Sequence, residues 1–198
     1  GGILAQYNDT QVVGNEVFNN NAYGIYVYSG TTVARDNEVH GNVTGIYSYS
    51  SLVEDNRIYN NSGAGIDLRN YGASALGNTV YSNSVGIETR YVDYRSRTAN
   101  NLIYDNLEDG IRLIGGTAPQ GINNTIYQAA GDAIHVQDSS SGVQLRNNIL
   151  WVESGYDIHV DPNSEVGFVS DYNELYATNS GQLGNWGGQG FSSLVNWR

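Results

Sequence analysis

The sequence predicts an all-β solenoid, in which short strands wind into seven to eight stacked coils of about 22 residues each. Three observations carry this. An Asn recurs at Asn15, Asn37, Asn56, Asn78, Asn101, Asn124, Asn148 and Asn173. Two residues later each unit has an aliphatic side chain (Val17, Val39, Ile58, Val80, Ile103, Ile126, Leu150, Leu175), and three residues later a ring (Phe18, His40, Tyr59, Tyr81, Tyr104, Tyr127, Trp151, Tyr176). Further along each unit a small residue precedes Ile, as in Gly24-Ile25, Gly45-Ile46, Gly65-Ile66, Gly86-Ile87, Gly110-Ile111, Ala133-Ile134 and, with an acid in the small residue's place, Asp157-Ile158.

Each element of the unit follows from these patterns. The Gly-Ile segments continue in strict alternation, for example Ile25-Tyr26-Val27-Tyr28 and Ile66-Asp67-Leu68-Arg69, which is a strand with one buried face. The Asn-x-aliphatic-ring segments form a second strand. Weaker segments just ahead of each Asn (TTVAR, SSLVE, ASALG, GVQLR) form a third. Turns rich in Gly, Asn and Ser join them. A β-sandwich would not keep one residue type at one place in successive units, and a leucine-rich repeat needs a leucine density that is absent. Parallel pairing with the same strand one coil up, about 4.8 Å away, does place like on like. Seven such steps give a long axis of roughly 34 Å.

Stacking explains the asparagines. Carboxamides one above another bond along a ladder in a turn that otherwise leaves polar groups unpaired. A second ladder is expected five residues on, at Asn20, Asn42, Asn61, Asn83 and Asn106, lapsing at Ala129 and Glu153. The Gly before each Ile is expected to supply a bend or a positive φ. Isoleucine and valine stack inside, and the ring column stands outside, with His40 as a substituted ring.

The coils are expected over 1–176 and a closing segment over 177–198, with Trp186 and Trp197 as apolar plugs or, alternatively, as sugar platforms. Gly2-Ile3-Leu4-Ala5 matches the second half of a unit, and no Met stands at position 1. The reading is therefore of a processed or excised piece, whose N-terminal end meets upstream coils or another β-helix subunit.

The net charge of −11, with nine Arg and no Lys, disfavours nucleic acid and anionic membranes as partners. No apolar run reaches the length of a membrane span. There is no Cys, hence no disulfide framework or thiolate metal site. Low charge with abundant Gly, Asn, Ser and Tyr points to an extracellular or cell-surface protein.

The repeated N-x-[VI]-[YF]…G-[IL]-x-[VL] pattern resembles the right-handed parallel β-helix proteins with the pectin-lyase-like fold, over about residues 1–176. The resemblance implies a right-handed coil. It also implies a family that hosts lyases, hydrolases, epimerases, adhesins and spacers, so fold does not select function.

The outward positions of the Gly-Ile strands hold the chemistry. One column reads Leu4, Tyr26, Tyr47, Asp67, Glu88, Arg112, His135, His159, and the other Gln6, Tyr28, Tyr49, Arg69, Arg90, Ile114, Gln137, Asp161. Tyrosines stack on sugar faces, and Arg and carboxylates bond hydroxyls or uronates. The candidate binding strip is therefore Tyr26, Tyr28, Tyr47, Tyr49, Asp67, Arg69, Glu88, Arg90, Arg112, His135, His159 and Asp161, with polysaccharide as its ligand. Asp67 and Glu88 are the candidate carboxylate pair of a hydrolase. Arg112 or His135 would serve a lyase as neutraliser or base. Stacked opposite charges are equally what a structural sheet displays.

His135 and His159 share a column, but two ligands without a third do not make a metal site, so neither metal nor cofactor is expected. Short loops, such as 91–97, 115–120 and 139–142, leave any groove shallow. Three functions remain open: a structural or adhesive solenoid module, which the short loops favour; a carbohydrate-binding module; and a carbohydrate-active lyase, hydrolase or epimerase.

Overall fold

The structure, a computed structural model, describes residues 2–195. It is a right-handed parallel β-helix of about eight coils with no helix among the described residues. Three sheets run its length. The long sheet has ten strands, starting at Ile3–Ala5 and passing through Tyr23–Tyr28, Thr44–Tyr49, Ala64–Arg69, Val85–Arg90, Asp109–Ile114, Asp132–Gln137 and Tyr156–Val160. Two eight-stranded sheets of mostly three-residue strands close each coil.

Like does stack on like. Ile25 aligns with Ile46, Ile66 with Ile87, and Ile111 with Ile134 and then Ile158. These isoleucines are buried, as are the aliphatic residues after the ladder Asn from Val17 to Leu150, with Leu175 partly buried at the last coil. Each such burial contributes about 1.5–3 kcal/mol. Outside, Phe18, His40, Tyr59, Tyr81 and Tyr104 stack face to face at 4.8–5.3 Å. The column turns edge-on at Trp151, between Tyr127 and Tyr176.

Both ladders form. In the first, each Oδ1 accepts the backbone N–H and the Nδ2 of the Asn one coil below, from Asn15 up to Asn173. In the second, the pattern runs from Asn20 to Asn106. It does not lapse one coil on, as the spacing from Asn106 to Ala129 suggests. Gln128 takes the rung one residue early, its Oε1 accepting from the Asn106 backbone N–H at 3.0 Å. A longer amide reaches the same spot from a neighbouring position, at the cost of leaving Asn106 Nδ2 unpaired.

The glycines before Ile are a correction. None has positive φ. They are glycines because there is no room: a Cβ on Gly24 would lie 2.7 Å from Asn42 Nδ2 and Val39 Cγ1, and one on Gly86 2.4 Å from the Gly110 carbonyl oxygen. The left-handed positions sit instead just before each ladder Asn. Gly14, Asp36, Asp55, Gly77, Asn100, Asn123, Asn147 and Tyr172 all have φ of 54–69°. The Asp-Asn, Gly-Asn and Asn-Asn doublets of the sequence are these corners, since Gly, Asn and Asp tolerate that conformation best.

Past Tyr176 the parallel stacking goes on for one further rung. Gln182–Trp186 pairs in parallel with Tyr156–Val160, and Gln189–Phe191 then folds back antiparallel on it. Trp186 packs against Phe168 and the core. Trp197 lies outside the described residues, as does Gly1.

Candidate functional site

The outward face of the long sheet brings the predicted strip together in three zones. Near the first coils the rings cluster. Tyr28 and Tyr49 stack at 4.9 Å, Tyr26 meets Tyr47 edge-on at 4.7 Å, and Tyr23 joins them 4.8 Å from Tyr47. Burial, followed by neighbouring phenols, pushes the Tyr26 hydroxyl above its ordinary pKa.

In the middle zone every carboxylate has a guanidinium. Arg69 grips Asp67 through two 2.9 Å bonds and lies over the Tyr47 ring. Arg90 Nε bonds Glu88 at 2.6 Å. Asp67 and Glu88 are register neighbours, but each is held by its own Arg, so they do not form the free carboxylate pair that a hydrolase uses. Arg112 is gripped by Asp109 at 2.5 Å and Glu108 at 2.7 Å, with Glu88 at 3.7 Å. Burial pulls its pKa down, yet Glu108 and Asp109 raise it overall. The Arg112 bond, ahead of the Ser84 hydroxyl, lowers the Glu108 pKa. Held this tightly, Arg112 is not a free neutraliser for a substrate anion.

The third zone is built on the two histidines. Their rings are parallel, 4.2 Å apart. His135 Nε2 lies 3.2 Å from Asp161 Oδ1 and its Nδ1 3.7 Å from Asp109. His159 Nδ1 lies 2.7 Å from Asp132 and its Nε2 3.6 Å from Asp161 Oδ1. Asp132 is fixed in turn by the Tyr156 N–H at 2.8 Å. Burial alone would lower the His135 pKa, but Asp109 and Asp161 outweigh it and raise it. Burial alone would raise that of Asp109, but His135 and Arg112 lower it. Asp132, His135 and His159 each offer one ligand atom, all within 4.8 Å of one another.

A shallow open groove of about 420 Å³ runs beside this zone, lined by Arg90, Arg112, Ile114, Gln137, Asp138, Asp161 and Asn163. Sequence reasoning missed Asp109 and Asp132 as members of the site. The signal was one column away. At the first position of the strands, Val85 gives way to Asp109 and then Asp132 in register.

The family model for the right-handed β-helix region matches residues 46–173. No curated protein sequence matches the chain. Three solved structures share the fold. The A-module of the Azotobacter vinelandii mannuronan C-5 epimerase AlgE6 is 16% identical with a TM-score of 0.59, the match covering 86% of this chain and 62% of that one. The periplasmic alginate epimerase AlgG is 18% identical with a TM-score of 0.54, covering 87% and 50%. An alginate lyase from Paenibacillus sp. str. FPU-7 is 12% identical with a TM-score of 0.54, covering 92% and 80%. The chain thus spans 62% and 50% of the two epimerase structures, and at these identities the likeness is one of fold. With about two thirds of its length matched by the family model and every coil of the described stack in parallel register, the chain belongs to the right-handed β-helix family.

Proposed function

We propose that the chain is the solenoid part of a polysaccharide-handling protein that works outside the cytoplasm, binding a glycan along its long sheet. One observation carries the reading. The outward face is a continuous strip, in which a stacked pair of rings (exposed Tyr28 and half-buried Tyr49) leads through ordered Asp–Arg and Glu–Arg pairs into an open groove lined mostly by polar side chains. Rings offer sugar faces a platform, and pre-ordered polar groups supply hydroxyl contacts at little entropic cost. The likeness to an alginate lyase and two alginate epimerases adds support from fold alone.

The strip also sets the ligand's charge. Asp67, Glu88, Glu108, Asp109, Asp132, Asp138 and Asp161 face three arginines, each already paired. Such a face disfavours a bare polyanion and suits a hydroxyl-rich neutral glycan, or a uronan whose charge is offset by cations. A glycan array that includes mannuronate and guluronate oligomers tests this. Tyr28→Ala with Tyr49→Ala is expected to weaken binding about 3–10-fold through loss of one stacking platform. Retention of no glycan by the wild-type chain would overturn the reading and leave a structural spacer.

A second reading is catalytic. It is favoured by His135, whose imidazole sits between Asp109 and Asp161 beside the groove, as a base held by a carboxylate does. Depolymerisation or epimerisation of a bound glycan that disappears in His135→Gln, with binding retained, would support it. An inactive wild-type chain that binds normally would sink it.

A further inference from the structure

We propose that His135, His159 and Asp161 form a binding site for one divalent transition-metal ion of the zinc class. The coil stack creates the site. His135 and His159 occupy one column in consecutive coils and are register partners, so their imidazoles are presented side by side. Asp161 follows the second strand at the groove edge. Its Oδ1 stands 3.2 Å from one Nε2 and 3.6 Å from the other. Ligands at about 2.0–2.2 Å around a tetrahedral ion lie roughly 3.3 Å apart, so the two separations from Asp161 are close to that spacing, while Asp132, whose ligand atom also converges with the histidines within 4.8 Å, is bonded at His159 Nδ1 on the far side. The parallel rings, 4.2 Å apart, need only tilt toward one another.

The far nitrogens provide an independent observation. A metal-bound imidazole characteristically gives its other N–H to a carboxylate, which fixes the tautomer and aims the lone pair. His159 has that partner in place, and His135 has a carboxylate on the same side, just beyond hydrogen-bond distance. His159 Nδ1 faces Asp132 at 2.7 Å, and His135 Nδ1 faces Asp109 at 3.7 Å. Asp132 is itself anchored by the Tyr156 N–H. Both Nε2 atoms therefore turn to Asp161 on the groove side, where a fourth position is open to water or ligand. The surplus of carboxylate over guanidinium around the pair supplies charge that a dication would offset. Two imidazoles select against calcium and magnesium, which take oxygen ligands.

The experiment uses untagged protein stripped with a chelator and dialysed against Co²⁺ or Zn²⁺, with bound metal quantified and the cobalt spectrum recorded. It needs no glycan, so its outcome stands apart from the saccharide reading. One ion per chain is expected, with visible cobalt bands. His135→Gln and His159→Gln should each weaken binding by more than about tenfold, and Asp161→Asn by at least as much. Asp132→Asn, which loses only the orienting partner, should weaken it about tenfold. His40→Gln, on another face, should leave it unchanged, and folding of each variant is checked by far-UV circular dichroism. No stoichiometric binding would overturn the proposal and leave two histidine–carboxylate ion pairs. So would binding that survives His159→Gln, or that falls more in Asp132→Asn than in Asp161→Asn.

Discussion

Asp157→Ala should stabilise the protein, and by more at pH 8 than at pH 5. Asp157 occupies the column that holds glycine in six earlier coils, from Gly2 to Gly110, and Ala133 in the one before. It is fully buried, and neither carboxyl oxygen has a hydrogen-bond partner among the described residues. Burial pushes its pKa up to about 8, against a weaker pull from the Tyr176 backbone. The folded chain therefore holds a proton that the unfolded chain releases near pH 4. Stability from this group is full below pH 4, falls as pH rises toward 8, and is flat above. Ionising or desolvating that carboxyl at pH 8 costs on the order of 3–5 kcal/mol, which alanine removes. Urea melts of both chains at pH 5 and 8.5, with chelator present, measure it. Parallel stability–pH curves for the two would show that Asp157 is hydrated or paired.

The coil was legible because stacking forces one residue type into one place. The ladder asparagines, the isoleucine column and the ring column each see their own copies, so each writes itself repeatedly in the sequence. What stayed hidden breaks that rule. Gln128 fills an Asn rung from a shifted position, so a fixed spacing passes it over. The glycines before Ile and the corner residues before Asn are both punctuation in sequence. Only coordinates show that the former answer crowding and the latter backbone sign.

The site was half legible for the same reason. The outward columns placed Tyr28, Arg69, Arg90, His135 and Asp161 on one face, and they do share it. Which carboxylate each cation takes is decided by side-chain reach across strands. Arg112 bonds Glu108 and Asp109, four and three residues back on its own chain segment, rather than answering only to its column neighbours. The same Asp109 Oδ2 also lies 3.7 Å from His135 Nδ1.

Asn101→Ala should be among the costliest polar substitutions in the chain. Asn101 sits mid-ladder and is buried. Its Oδ1 accepts the Asn78 backbone N–H at 2.9 Å and Asn78 Nδ2 at 3.1 Å. Its Nδ2 donates to the Ala75 carbonyl and to Asn124 Oδ1, both at 3.0 Å. Truncation strands the Asn78 N–H, which has no other partner in the corner, and removes a donor from Ala75. Each buried group left unpaired costs about 1–3 kcal/mol, so a loss of roughly 2–5 kcal/mol is expected in denaturant melts. Asn15→Ala, at the first rung and only part-buried, strands no Asn below it and should cost well under half as much. The ratio matters more than either value. A ladder whose strength is its burial predicts a steep difference between middle and end, whereas equal costs at the two positions would mean that the asparagines act only as local turn formers, each stabilising its own corner.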